Sequence, residues 1–560
     1  MTRQTDLGKK VIYQLYPKSF YDSNGDGIGD LRGVIQKIDY LKQLHIDQIW
    51  FNPFFISPQH DNGYDIADYY RIDPKFGTMD DFREMVKVLK EAHIGVMLDM
   101  VLNHISTDHE WFQRALAGDA KYQKFFYLRS PKANGDLPNN WESKFGGPAW
   151  APFGDSGQYY LCLYDKTQAD LDWHNPEVRQ ELEKVVRFWM QEGVEGLRFD
   201  VINVIGKDEQ LVDSPSPRQL TVEKALYTDT PVVRQYLKEL NQKTFGADDQ
   251  IVTVGEMSSS TIENSIEYTN PSEHELDMVF TFHHLKVDYQ DGNKWTDMPF
   301  DFQKLKHLLI DWQTKMDQGH GWNALFWNNH DQPWALSRFG DSGQYREKSA
   351  EMLAAAMHLL RGTPYIYMGE EIGSINTPYQ SIDEYNDVES INAYHQLMAE
   401  GKCPQEALHL VYLKSRDNSR VPLAWDDSPQ AGFTTGTPWL QPKNQERINV
   451  KAELDHGEIF NFYQRLIQLR KSEPLISAGH FRAHLADHPA VLAYERYLDD
   501  DQLLVFNNFY GDATEVLVPS EFVGKGGQVL IDNYEANLAQ LPGQIKLRPY
   551  ESLAFKISRS

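Results

Sequence analysis

Cysteine is almost missing from this chain. Cys162 and Cys403 are the two among 560 residues, which excludes a disulfide framework and points to a reducing, cytoplasmic compartment. No run of about 18 apolar residues occurs, so no membrane-spanning helix is expected. The opening, "MTRQTDLGKKVIYQLYPKSF", lacks the apolar core of a signal peptide. Basic residues are in deficit: 55 Lys and Arg stand against 81 Asp and Glu, a net charge of −26. That balance argues against nucleic acid or an anionic membrane as partner, so any anionic ligand must be held by a local cluster. No obligate protein partner is evident.

What is present is an alternation. Short β-rich runs recur at "VIYQLY" (11–16), "QIWFNP" (48–53), "GVMLDMV" (95–101), "GLRFDV" (196–201), "IVTVGEM" (251–257), "LDMVFTF" (276–282), "ALFWNNHD" (324–331) and "PYIYMGEE" (364–371). Amphipathic stretches such as "LRGVIQKIDYLKQL", "MDDFREMVKVLKEA" and "PEVRQELEKVVRFWM" lie between them, apolar at three- and four-residue spacing. This is the pattern of an α/β protein, and it predicts a (β/α)8 TIM barrel over 1–103 and 175–480. Residues 104–174, aromatic and rich in Gly and Pro, break the rhythm without helix–strand alternation and are expected to form a domain inserted after strand three. From 481 to 560 alternating runs predict a C-terminal antiparallel β-domain.

Several runs end in polar groups: Asp99 and Asn103, Arg198 and Asp200, Glu256, His330 and Asp331, Glu370 and Glu371. In a parallel barrel the carboxyl ends of the strands carry the chemistry. Asp200 and Glu256, closing neighbouring strands, form the carboxylate pair that acetal cleavage requires. Arg198 points the same way as Asp200, because side chains alternate along a strand, and can keep it ionised.

The loop "DSNGDGIGD" (22–30) places Asp22, Asn24, Asp26 and Asp30 at positions 1, 3, 5 and 9 of an EF-hand-like register, with the Ile28 carbonyl at position 7 and Gly27 at the sharp turn. Gly33 replaces the closing Glu. One structural Ca²⁺ is expected here.

The motifs "DMVLNH" (99–104), "GLRFDV" (196–201), "GEM" (255–257) and "NNHD" (328–331), with "QADLDW" (168–173), resemble in order those of the α-amylase superfamily, glycoside hydrolase family 13. The resemblance covers nearly the whole chain. It implies Asp200 as nucleophile, Glu256 as general acid/base and Asp331 as transition-state stabiliser of a retaining reaction. It also implies that His104, His330, Asp99 and Arg198 surround the sugar.

"HDNGYDIADYY" (60–70), "SRDNSRVPLAW" (415–425) and "GFTTGTPW" (432–439) resemble the oligo-1,6-glucosidase group, which releases one glucose from a non-reducing end. That implies Asp61 and Arg416, with Arg420 as the alternative, as holders of the terminal glucose, and Tyr64 beneath its ring. Val201 is the residue type that group links to substrates other than α-1,4 ones. Trp334 stands where the group carries arginine, and Met368 where it carries glutamine.

The stretch "FHHLKVDYQDGNKW" (282–295) carries Lys286 and Lys294 on an otherwise acidic rim and resembles trehalose-6-phosphate hydrolases. The substrate expected is therefore a small phosphorylated disaccharide, with the two lysines on its phosphate. Lys144 in "ESKFGG" is a third candidate, and its neighbour Phe145 a candidate sugar contact. Oligo-1,6-glucosidase activity is the alternative.

Overall fold

The computed structural model describes residues 3–215 and 225–557. Eight parallel strands carry the fold: β1 (Ile12–Leu15), β2 (Gln48–Phe51), β3 (Gly95–Met100), β4 (Gly196–Phe199), β5 (Val252–Glu256), β6 (Met278–Phe280), β7 (Ala324–Leu325) and β8 (Thr363–Tyr367). They form one sheet in the order β6-β5-β4-β3-β2-β1-β8-β7, the (β/α)8 architecture expected. Their residues are almost all buried, as strands covered on both faces must be.

By internal contacts the chain forms two compact units. One comprises Met1–Ile49, Ala92–Ile94 and His283–Ser560; the other comprises Trp50–Glu91 and Gly95–Phe282. In the first, β1 pairs with β8 and β8 with β7. In the second, β4 pairs with β3 and β5, and β5 with β6.

The helices follow from their sequences. Over Pro176–Gln191, Asn175 caps the first turn by accepting from the Glu177 N–H, Pro176 presets the entry, and Val178, Leu182, Val185, Val186 and Trp189 bury one face. The expected helix over 31–44 is instead two, Leu31–Gln36 and Ile38–Gln43. They break at Lys37, whose ammonium lies 4.1 Å from the ring centroids of both Tyr21 and Trp425. The segment 104–174 also departs from expectation. It holds two short helices, Glu110–Leu116 and Ala120–Gln123, capped by His109 and Asp119, beside a small three-stranded antiparallel sheet.

β7 is shorter than its apolar run. Beyond Leu325 the chain turns, and the side chains of Asn328 and Asn329 accept from the backbone N–H groups of Ala335 and Asp331. From His480 onward the chain is antiparallel, and a five-stranded sheet packs Leu504, Phe506 and Phe555 into its own core.

Candidate active site

In the unit containing β3 to β6, one guanidinium organises three carboxylates. Arg198, near the end of β4, is 1% exposed. Its Nη1 donates to Asp99 Oδ1 at 2.6 Å and to Asp200 Oδ1 at 2.7 Å, and its Nη2 pairs with Glu256 Oε2. Burial alone would discharge Arg198, but Asp99, Tyr64 and Asp200 outweigh it and hold the guanidinium firmly protonated. Asp99 also accepts from Trp50 Nε1 at 3.2 Å and from the Tyr64 hydroxyl at 2.9 Å. Tyr64 in turn accepts from Asn52 Nδ2 at 2.8 Å.

Immediately after Asp200 the strand breaks. Val201 adopts φ 37°, ψ 39°, a left-handed conformation that a β-branched residue adopts only under strain. The Asp200 N–H still donates to Met100 O at 3.0 Å, so the carboxylate projects from a fixed strand end at the start of a sharp turn.

The same unit places Asp61 and His104 on one side chain. Gln168 Nε2 donates to Asp61 Oδ2 at 3.0 Å and lies 3.3 Å from His104 Nε2. His104 is buried, which lowers its pKa against the pull of Asp200 and Asp170. Tyr164 packs against both His104 and Phe145, at 5.0 and 5.8 Å between ring centroids. Lys144 Nζ donates to the hydroxyls of Tyr164 at 3.1 Å and Ser258 at 2.9 Å.

The other unit holds Asp331, whose side chain is 34% exposed where those of Asp200 and Glu256 are 9% and 14%. Both candidate arginines reach it: Arg420 Nη2 at 2.7 Å and Arg416 Nη1 at 3.3 Å from Asp331 Oδ1. Arg416 is also anchored on Asp387 at 2.7 Å. Burial would raise the Asp387 carboxyl, but Arg416 and Arg420 outweigh it and keep it well below the usual range. His330 Nδ1 pairs with Gln14 Nε2 at 2.9 Å, and its ring stacks near Tyr16.

Lys294 is half-buried and donates to Glu389 Oε2 at 2.6 Å; the same oxygen lies 3.5 Å from Arg416 Nε. Lys286 is exposed. Trp334 is buried, 6% exposed, and its indole donates to Asn418 O at 2.7 Å. Met368 is likewise buried.

In the loop 22–30, Asp22 accepts from the N–H groups of Asn24, Gly25 and Gly27, Asn24 from Asp26, and Asp26 from Ile28. Asp30 caps the helix at Leu31. Among the described residues no three His, Cys, Asp or Glu side chains gather as a metal-holding group. The donor set of carboxylate, amide and carbonyl oxygens is nonetheless that of a hard cation.

Sequence reading passed over Gln168, Lys207, Asp387 and Glu389 as individual residues. Gln168 lies inside a motif that had been recognised. The other three carry no periodic or motif signal.

Carboxylates sharing one arginine at the carboxyl ends of parallel barrel strands are the equipment of a glycoside hydrolase. The chain belongs to the α-amylase family, glycoside hydrolase family 13: the family's model, "Alpha amylase, catalytic domain", matches residues 14–479, and "Alpha-amylase SusG C-terminal domain" matches 491–553. It is 48% identical to a trehalose-6-phosphate hydrolase of Bacillus subtilis, covering 100% of this chain and 99% of that one. It is 44% identical to an oligo-1,6-glucosidase of Parageobacillus thermoglucosidasius, covering 98% of each. The crystal structure of trehalose-6-phosphate hydrolase from Bacillus licheniformis superposes with a TM-score of 0.94 at 47% identity, covering 99% of this chain and 100% of that one.

Proposed function

We propose that the protein is a retaining, exo-acting α-glucosidase that hydrolyses α,α-trehalose 6-phosphate to glucose and glucose 6-phosphate. Asp200 attacks the anomeric carbon while Glu256 protonates the departing glycosidic oxygen, releasing glucose 6-phosphate. Glu256 then takes a proton from water, which displaces Asp200 from the glucosyl ester and frees α-glucose. Arg198 supports this reading by holding the Asp200 carboxyl in place through a 2.7 Å contact. Asp331 is assigned as transition-state stabiliser. Asp61 and Arg416, with Tyr64, are assigned to the terminal glucose, and His104, His330, Asp99 and Phe145 to the remaining sugar contacts.

One observation carries the choice of substrate. Lys294 is linked through Glu389 to Arg416, and Arg416 touches Asp331, so the ammonium assigned to the phosphate lies within one chain of ionic contacts from a proposed catalytic carboxylate. Lys286 and Lys294 are assigned to the phosphate, with Lys144 as a further candidate. The similarity to trehalose-6-phosphate hydrolases supports the same reading.

The second reading, oligo-1,6-glucosidase, is favoured by the pairing of Lys294 with Glu389, which already neutralises one of the two lysines. Comparing kcat/KM for trehalose 6-phosphate and isomaltose separates them, and a preference for isomaltose would overturn the first. An internal cut in long dextrin would contradict the exo mode.

Loop 22–30 is proposed to hold one structural Ca²⁺ through Asp22, Asn24, Asp26, the Ile28 carbonyl and Asp30. EGTA should then lower Tm, because an ion bound only by the folded state stabilises it by mass action. Elemental analysis without calcium, together with an unchanged Tm, would refute it. A cytoplasmic location is proposed from the cysteine usage. Among the described residues, no helix is long and apolar enough to cross a membrane.

A further inference from the structure

We propose that Lys207 is a positioning residue that fixes the tautomer of His104, acting through the Asn103 amide so that the imidazole proton sits on Nε2. The consequence for catalysis rests on the α-glucosidase reading above; the tautomer does not.

Lys207 is fully buried, as is Asp170, and its Nζ lies 2.7 Å from Asp170 Oδ2. The same ammonium donates to Asn103 Oδ1 at 2.6 Å. Asn103 Nδ2 faces Asp170 Oδ2 at 3.3 Å and His104 Nδ1 at 3.1 Å. An ammonium only donates and a carboxylate only accepts. Turning the Asn103 amide over would set its NH₂ against Lys207 and its oxygen against Asp170, two repulsions between groups that are all fully buried. The amide orientation is therefore dictated by its charged neighbours. With Nδ2 fixed toward His104, Nδ1 of the ring must accept, and the proton of a neutral ring goes to Nε2.

The far side of the ring agrees. Gln168 Nε2 donates to Asp61 Oδ2 at 3.0 Å and to the Tyr64 carbonyl at 3.2 Å, which commits both of its hydrogens. Its 3.3 Å approach to His104 Nε2 is then no donation to a lone pair. The chain of contacts thus runs from a buried lysine to Gln168, which holds Asp61 and the backbone of Tyr64, both residues assigned to the terminal glucose. A doubly protonated ring would force an N–H against the Asn103 NH₂, so His104 should stay neutral across the working pH range.

The test is ¹⁵N NMR of histidine-labelled full-length protein, with the His104 signals identified by their loss in His104→Gln. The expected wild-type spectrum has Nδ1 unprotonated and Nε2 protonated from pH 5 to 9. Asn103→Asp, close to isosteric, cannot donate to Nδ1 and should pull the proton onto Nδ1. Lys207→Met, which frees the amide, should give a mixture. If Lys207→Met does not fold, Asn103→Asp alone decides. Wild-type His104 protonated at Nδ1, or a tautomer unmoved by Asn103→Asp, would overturn the proposal. With Tm preserved, Asn103→Asp should lower kcat for p-nitrophenyl α-glucoside ~10-fold or more, as loss of an oriented hydrogen-bond donor does. Native kcat alongside a shifted tautomer would overturn the positioning role. A wild-type protein without α-glucosidase activity would overturn the functional reading instead, leaving the spectroscopic result intact.

Discussion

Two regions of the molecule bury carboxyl groups at strand ends, and they manage the charge in opposite ways. At the ends of β3, β4 and β5, Asp99, Asp200 and Glu256 converge on Arg198. After β8, Glu370 and Glu371 meet no such cation among the described residues. Glu371 accepts from the hydroxyls of Tyr13 at 2.7 Å and Tyr40 at 2.6 Å and from the Gly369 N–H at 2.8 Å, and Glu370 accepts from Tyr463 at 3.1 Å. Burial pushes Glu370 up to about 8, against the smaller opposing pull of its hydrogen bonds. A buried carboxyl must be paired or neutralised. The first region pairs its carboxyls with one buried guanidinium, although burial still raises Asp99 to about 7 against the pull of Arg198. The second neutralises Glu370, which then serves as a hydrogen-bonded strut. A polar residue at the end of a barrel strand therefore marks either chemistry or support, and its partner decides which.

Substitution should expose this difference most strongly. Asp200→Ala, Glu256→Gln and Asp331→Asn should each lower kcat by orders of magnitude with Tm preserved. Acid–base assistance alone is worth ~10²–10⁴, and removing the nucleophile closes the covalent path. Glu370→Gln should leave kcat near native, since a neutral amide can replace a neutral acid. If Glu370→Gln is as inactive as Asp200→Ala, or any of the first three keeps native turnover, the division between reagent and strut fails.

The next effect is smaller and tests binding. Replacing Lys286 and Lys294 together should raise KM for trehalose 6-phosphate by ~10²-fold, as two charged hydrogen bonds of ~1.5–3 kcal/mol each are lost. Cleavage of p-nitrophenyl α-glucoside, which has no phosphate, should change little. Rising salt should weaken the wild-type preference in the same direction. Equal losses on both substrates would show that the Lys294–Glu389 pair is a support like the tyrosine-held carboxyls.

The sequence made the arginine-held region legible because its parts are local: Arg198 and Asp200 share one short run, and Asp99, His104 and Glu256 sit in recognisable motifs. The tyrosine-held region was opaque because its partners are remote, Tyr13 and Glu371 being 358 positions apart. Lys207 and Asp387 were missed for the same reason: each acquires meaning only from a distant partner, Asn103 or Arg416. The sequence showed that Trp334 replaces the group's arginine but not what that does. Its large apolar ring is buried, with the indole N–H satisfied by a backbone carbonyl. The barrel itself was readable from periodicity, but the ends of β7 and of the helix at Leu31 were not. Asparagine side chains bonded to the backbone beyond it follow the one, and a lysine drawn over two aromatic rings coincides with the break in the other.

The smallest effect concerns stability and pH. Glu370 ionises near its ordinary 4.5 in the unfolded chain and only at about 8 in the folded one. Between those values the folded state holds a proton that the unfolded state has released, so the contribution of Glu370 is full below pH 4.5 and lost as pH rises toward 8. The loss is at most about 1.4 kcal/mol per pH unit for one group. Glu370→Gln cannot ionise and lacks this slope. Tm measured from pH 5 to 9 should therefore fall more steeply for the wild type than for Glu370→Gln, the curves converging or crossing at the alkaline end. Burial raises Asp99 in the same direction, against the pull of Arg198, so Asp99→Asn should also lose a slope, but removing its carboxyl leaves a buried guanidinium undercompensated and should lower Tm overall, as Glu370→Gln should not. Parallel curves for wild type and Glu370→Gln would mean that Glu370 is ionised in the fold, and the contrast between the two regions would collapse.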